Sequence, residues 1–112
     1  MLNFLNPKAI IFFPDKSASD LKKTTHLGIG AHQDDLEIFA IHGILEAYDH
    51  PQKYFTGVTV TDGRGAPRSD PYEGISDEEM WEIRIDEQKK AASIGKYLAQ
   101  ILLNYTSKSI IT

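Results

Sequence analysis

A histidine and two aspartates near the start of the chain are the residues best suited to catalysis. They are His32, Asp34 and Asp35, within residues 31–37. A catalytic zinc site needs imidazole and carboxylate ligands, an open coordination position and a separate base. His32 and Asp35 can supply two ligands, which leaves Asp34 as the base, and a divalent cation removes most of the repulsion between adjacent aspartates. The stretch therefore predicts metal-assisted hydrolysis.

The same residues also fit a purely structural role. Asp34 or Asp35 can cap the helix that follows, with Glu37 completing a D-x-x-E capping box. His32 is then an incidental turn residue. Because a carboxylate that binds a metal can also cap a helix, both roles remain open.

The three residues lie where a predicted buried strand meets a predicted helix. Gly28 and Gly30 in the strand indicate that another segment approaches the backbone closely. In the helix, apolar residues recur at spacings of three and four, which is typical of an amphipathic helix. Its predicted apolar face consists of Leu36, Phe39, Ile41, Ile44, Leu45 and Tyr48.

Strands and helices alternate along the whole sequence. This order predicts an α/β fold with a mostly parallel sheet, in which active sites lie at the carboxyl ends of the strands. The last apolar run can also continue the preceding helix. The predicted strands span 9–13, 27–31, 54–61 and 97–103, and the predicted helices span 36–49 and 77–94.

The second helix has the clearest limits. Ser76 and Glu79 form a capping box at its start, and Gly95 is suited to end it. Its predicted inward residues are Met80, Trp81, Ile85, Ala92 and Ile94.

Composition limits the possible functions. The 112 residues are 41% hydrophobic and 25% charged, which predicts one globular domain. A net charge of −4 argues against a nucleic-acid partner, and the chain contains no cysteine that could form a disulfide or bind a metal. No apolar run approaches the length of a membrane span, so we expect a cytoplasmic protein. The number of subunits stays open, a homo-oligomer included.

Three stretches, in the same order along the chain, resemble signatures of the PIG-L/LmbE family of zinc-dependent deacetylases. Residues 31–37 are similar to its A-H-P-D-D-E-type motif, and residues 58–63 resemble its second signature. Residues 84–95 follow the pattern R-x-x-E-x-x-x-A-A-x-x-G of its Arg/Glu helix. The resemblance covers residues 25–105, the first half of a typical family domain. It implies a Rossmann-like three-layer α/β/α fold that is incomplete at its C-terminal side.

The resemblance also implies an activity and site residues. His32 and Asp35 would bind Zn²⁺, and Asp34 would deprotonate the water that attacks an acetamide carbonyl. The substrate would be an N-acetylglucosamine-type or related conjugate, which releases acetate and an amine. Two positions depart from the family pattern: Gln33 replaces the usual proline, and Leu36 displaces Glu37 by one position.

A third zinc ligand is missing from the sequence pattern. The family takes it from a later histidine, whereas no histidine follows Gly95. His26 should lie roughly 20 Å from His32 along an extended strand, and His42 roughly 10 Å beyond Asp35 along a helix. Neither these two nor His50 is expected to reach the metal.

Three arginines are candidates for supporting roles. Arg64 and Arg68, in the loop after the third predicted strand, can bind a phosphate, a carboxylate or sugar hydroxyls. They can equally be solvated loop residues. The family counterpart of Arg84 implies either a structural role or a role in supporting the residues that bind the metal.

Two other functions compete with the deacetylase. The chain can be a truncated product without catalysis, because two protein ligands hold zinc more weakly than a complete site. It can also be a non-catalytic module that binds sugar or phosphate through Arg64 and Arg68.

Overall fold

The part of the chain that the structure describes contains four strands, three α-helices and two short 3₁₀ helices. The computed structural model of the protein describes residues 4–63 and 74–106. Arg64 and Arg68 therefore lie outside the described residues. Two short 3₁₀ helices, Lys16–Ala18 and Leu21–Lys23, connect the first two strands. The strands β1–β4 are Ile10–Phe12, His26–Gly30, Phe55–Thr61 and Ala99–Tyr105, and the helices α1–α3 are Asp35–Phe39, Ile41–Ala47 and Asp77–Ile94.

The strands form one mixed sheet in the order β1-β4-β3-β2. β2 pairs in parallel with β3, β3 pairs in parallel with β4, and β1 is antiparallel to β4. The α/β class predicted from the sequence is therefore confirmed. Because the three parallel strands point the same way, their carboxyl ends share one edge of the sheet, and the turn that contains His32 begins at that edge.

The three α-helices pack on the same face of the sheet. Leu36 of α1 is fully buried there, over glycines of β2 and β3. A β-carbon on Gly28 would lie 3.1 Å from a Leu36 methyl group, and one on Gly57 would lie 2.7 Å from the other methyl. α3 reaches the same face, where Gln88 contacts Gln100 of β4. The close approach predicted from the glycines of β2 is thus confirmed.

The segment predicted as one helix over 36–49 is two short helices. Ala40 ends α1 and begins α2, with a backbone conformation (φ −102°, ψ 13°) outside the helical range. Gly43 and the β-branched Ile38 and Ile41 are weak helix formers. Only Leu36 and Ile44 of the predicted apolar face are buried, so that prediction was largely wrong. The exposed members are Phe39, Ile41, Leu45 and Tyr48.

The helix predicted over 77–94 is confirmed at both ends. The Ser76 hydroxyl accepts a hydrogen bond from the Glu79 main-chain N–H and donates one to the Glu79 carboxylate. The Glu79 N–H, which has no partner within the helix, is thereby paired at the start of α3. Met80 and Ala92 are buried as predicted, whereas Ile94 is 77% exposed. The inward position missed by the sequence analysis is Gln88, which is 1% exposed.

The last apolar run is a strand, two residues later than predicted. Tyr97 and Leu98 precede β4 and are buried in the core. The Tyr97 ring packs edge-on against the Phe55 ring, with 4.7 Å between the ring centroids, and the Tyr97 hydroxyl donates a hydrogen bond to Glu37.

The helices of the described residues include none with the length and apolar character of a membrane-spanning segment.

The close contact at Gly57 gives a first prediction. A β-carbon there would also lie 2.7 Å from Gln100 Oε1, so we expect Gly57→Ala to lower the free energy of unfolding by about 1–3 kcal/mol. Gly43→Ala is the matched control: the nearest atoms lie 3.8 Å away, and the helical position should gain about 0.5–1 kcal/mol. Urea denaturation measures both. Equal effects in the two variants would contradict the packing of Leu36 on the glycines.

Tyr97 gives a second prediction. Burial, and then its hydrogen bond to Glu37, raise the pKa of Tyr97 above the ordinary value. A raised pKa in the folded state means that this stabilisation is complete below the unfolded pKa of about 10 and is lost as the pH rises further. We expect Tyr97→Phe to flatten the decline of unfolding free energy above about pH 10. An unchanged slope in Tyr97→Phe would refute the assignment.

Candidate functional site

The candidate site is the turn between β2 and α1, at the carboxyl edge of the sheet. Asp34 is the residue before α1 and has a left-handed backbone, with φ 74° and ψ −15°. Its side chain makes no capping hydrogen bond to the helix. Glu37 bonds to Tyr97 instead of completing a capping box. The capping role considered for the Asp34 side chain was therefore wrong, so its carboxylate is not engaged by the start of α1.

His32 and Asp35 come together in this turn. His32 Nδ1 lies 3.6 Å from Asp35 Oδ2, and the same oxygen accepts a hydrogen bond of 3.0 Å from the His32 main-chain N–H. Two ligands of a tetrahedral zinc ion with bonds of about 2.0–2.1 Å lie about 3.4 Å apart. The donor types and their separation thus fit two positions of a zinc coordination sphere. Both side chains are accessible from solvent, since 63% of His32 and 34% of Asp35 is exposed.

Asp34 joins a different partner. Its Oδ2 lies 3.3 Å from Nη1 of Arg84, a guanidinium that is only 18% exposed and also contacts Glu87 Oε1 at 3.1 Å. The Asp34 side chain is 63% exposed, so solvent and a substrate can reach it. An ion pair this exposed adds little stability. Its effect is to restrict where the Asp34 carboxylate can lie.

The described residues supply no third ligand beside His32 and Asp35. No group of three or more histidine, aspartate or glutamate side chains within residues 4–63 and 74–106 is arranged to hold a metal ion. His26, the candidate on β2, is instead bonded to Glu46 on α2, with His26 Nε2 3.0 Å from Glu46 Oε2. This hydrogen bond, followed by the charge of Lys53, lowers the pKa of Glu46.

Buried polar side chains connect the turn to β3. Gln33 is 6% exposed, and its Nε2 donates a hydrogen bond of 3.1 Å to the Thr61 carbonyl. In return, the main-chain N–H and the hydroxyl of Thr61 both donate to the Ala31 carbonyl, at 2.9 and 2.8 Å. From the sequence, Gln33 was only a departure from the family pattern, in place of the usual proline. Its side chain in fact ties the turn to the end of β3.

The start of the loop after β3 packs directly behind the site. Gly63 has φ 79°, and a β-carbon there would lie 2.6 Å from Gln33 Oε1 and 2.9 Å from Arg84 Cγ. Asp62 beside it is 1% exposed, and its main-chain N–H donates to the Tyr105 carbonyl at 2.9 Å. The structure therefore brings the three stretches with family-like patterns into mutual contact.

A cavity of about 580 Å³ lies elsewhere, at the amino ends of β3 and β4. Tyr54 and Leu98, the residues just before these strands, line it together with Ala47, Lys96 and Tyr97. It shares no lining residue with the His32 turn. Its size alone does not connect it to the candidate chemistry.

Comparisons with protein-family models, with curated proteins and with solved structures found no match for this chain. The geometry of the turn and the residue patterns are therefore the basis for a functional proposal.

Gly63 gives a prediction about the packing behind the site. Gly63→Ala should lower the free energy of unfolding by about 1–3 kcal/mol more than Gly74→Ala does. Gly74 is a matched control, because its φ of 76° is similar but no atom of the described residues lies within 4 Å of an added β-carbon. Both variants impose the same backbone penalty, so denaturation midpoints isolate the contact with Gln33 and Arg84. Equal losses would show that this contact has no energetic weight.

Proposed function

We propose that this chain carries part of the active site of a metal-dependent amide hydrolase, a deacetylase of the PIG-L/LmbE type. The substrate class would be an N-acetylated sugar or a related conjugate. The observation that carries the proposal is the convergence of His32 Nδ1 and Asp35 Oδ2, 3.6 Å apart, in the same turn as Asp34, whose carboxylate is accessible. The carboxyl edge of parallel strands is also where α/β enzymes place their ligands.

Each residue of the turn has a distinct role in this proposal. His32 and Asp35 would hold Zn²⁺, which when bound supplies Lewis-acid polarisation of a carbonyl oxygen. Asp34 would take a proton from the water that attacks the acetyl carbon and return it to the nitrogen as the C–N bond breaks, so that acetate and the amine are released. Arg84 keeps the Asp34 carboxylate on one side of the turn through their 3.3 Å contact.

The exposed face of β2 supports the three-layer fold that the resemblance implies. Leu27 and Ile29 point away from the helices and are 61% and 57% exposed. Apolar residues on a parallel strand are normally covered on both faces. A Rossmann-like arrangement, with helices on both sides of the sheet, would bury these two side chains.

Zinc binding tests the proposal. We expect His32→Ala and Asp35→Asn each to weaken zinc binding at least about tenfold, because each removes one of two protein ligands. Competition with a chromophoric chelator gives the affinities. His42→Ala is the matched control, since this exposed histidine lies outside the turn and its loss should leave the affinity unchanged.

Asp34→Asn separates catalysis from metal binding. This variant should retain the zinc affinity and lose acetate release from N-acetylglucosamine conjugates. Sugar binding without zinc would favour the non-catalytic module, and the absence of both activities would favour an inactive fragment. Zinc affinity that is insensitive to His32 and Asp35 would rule out the proposed site.

A further inference from the structure

A buried chain of amide side chains connects the sheet to the backbone of Asp34. Gln100 Nε2 donates to Thr59 Oγ1 at 3.0 Å, and Gln88 Nε2 donates to Gln100 Oε1 at 3.4 Å. Gln88 Oε1 in turn accepts the main-chain N–H of Asp34 at 3.5 Å. Gln88 and Gln100 are 1% and 0% exposed, so water does not compete strongly for these groups.

The chain has a fixed direction. Gln100 Nε2 also donates to the Ile101 carbonyl at 3.2 Å, which leaves Gln100 Oε1 to face Gln88. Gln88 must therefore present its amide nitrogen to Gln100 and its oxygen to Asp34. The opposite orientation would place two N–H donors against each other at Asp34. The hydrogen bonds of Gln100 on β4 therefore determine that the oxygen of the Gln88 amide, and not its nitrogen, faces Asp34.

The main chain of Asp34 needs such a partner. A positive φ is uncommon for a residue other than glycine, although aspartate tolerates it better than most. Strained conformations of this kind persist when their surroundings hold them. α3 contacts Asp34 twice from positions four residues apart: Arg84 at the carboxylate and Gln88 at the main-chain N–H.

We propose that Gln88 is a positioning residue, whose side-chain oxygen holds Asp34 in its left-handed conformation and so sets where the Asp34 carboxylate lies relative to His32 and Asp35. The catalytic meaning of this role rests on the function proposed above. The hydrogen bond itself does not depend on that function, and the two can be tested separately.

Amide hydrogen exchange of Asp34, measured by NMR, reports this hydrogen bond directly. Wild-type protein should protect the Asp34 N–H, and Gln88→Leu should speed its exchange by roughly five- to tenfold, because the acceptor is lost. Gln88→Glu in its protonated form retains an acceptor oxygen toward Asp34 and an O–H donor toward Gln100 Oε1. It should keep the exchange rate within about twofold of wild type even where it costs stability.

Ala92→Gly controls for loss of stability alone. Ala92 is fully buried and lies one turn further along α3, away from the amide chain. It should leave the Asp34 exchange rate unchanged under conditions where the protein is folded. Equal acceleration in Ala92→Gly and Gln88→Leu would overturn the proposal. An unprotected Asp34 N–H in wild type would do the same, even if Gln88→Leu does not fold.

Acetate release, measured beside zinc affinity, separates this proposal from the function. If Gln88 positions the Asp34 carboxylate, Gln88→Leu should slow acetate release several-fold and leave the zinc affinity unchanged, as Asp34→Asn does. Gln88→Glu should restore the rate. Wild-type protein that binds no zinc but shows the predicted exchange pattern would refute the proposed function and leave the role of Gln88 intact. If the wild-type protein binds zinc and releases acetate, an equal rate of acetate release in Gln88→Leu would limit Gln88 to a structural role and overturn the positioning proposal.

Discussion

The contact between Leu36 and the glycines of β2 and β3 is the constraint on which the rest of the fold depends. Gly28 and Gly57 leave the space that the two Leu36 methyl groups occupy, and any larger residue would push α1 away from the sheet. Because α1 starts only one residue before Leu36, the position of the His32 turn follows from the same contact. A shift of the helix would move both Asp34 and Asp35.

Polar contacts then determine the details of the site. Apolar packing fixes how far α1 lies from the sheet, but it does not select one conformation of a four-residue turn. Gln33 donates a hydrogen bond from the turn to the Thr61 carbonyl of β3, and the Thr61 hydroxyl donates to the Ala31 carbonyl. Gln88 accepts a hydrogen bond from the main-chain N–H of Asp34. A buried amide that lacks hydrogen-bond partners costs free energy. Other arrangements of the turn would leave these amides without partners and are therefore unfavourable.

Local signals in the sequence predicted the elements well, and contacts between distant segments were harder to predict. α3 follows from a capping serine and a terminal glycine, both of which act within one helical turn. Leu45 and Tyr48 were predicted to be buried and are exposed. The periodicity of a helix cannot tell which of its apolar residues a neighbouring element will cover. Gln33 and Gln88 escaped notice since glutamine is usually exposed, and only the fold reveals their partners.

The location of the large cavity has a practical consequence for ligand discovery. It opens at the amino ends of β3 and β4, and the seven residues of β3 extend roughly 20 Å from there to the opposite edge. A compound that binds in this cavity will not touch His32 or Asp34, because neither residue is part of its lining. Spectroscopic probes at Tyr97 and at His32 would sort the hits by the end of the molecule they occupy.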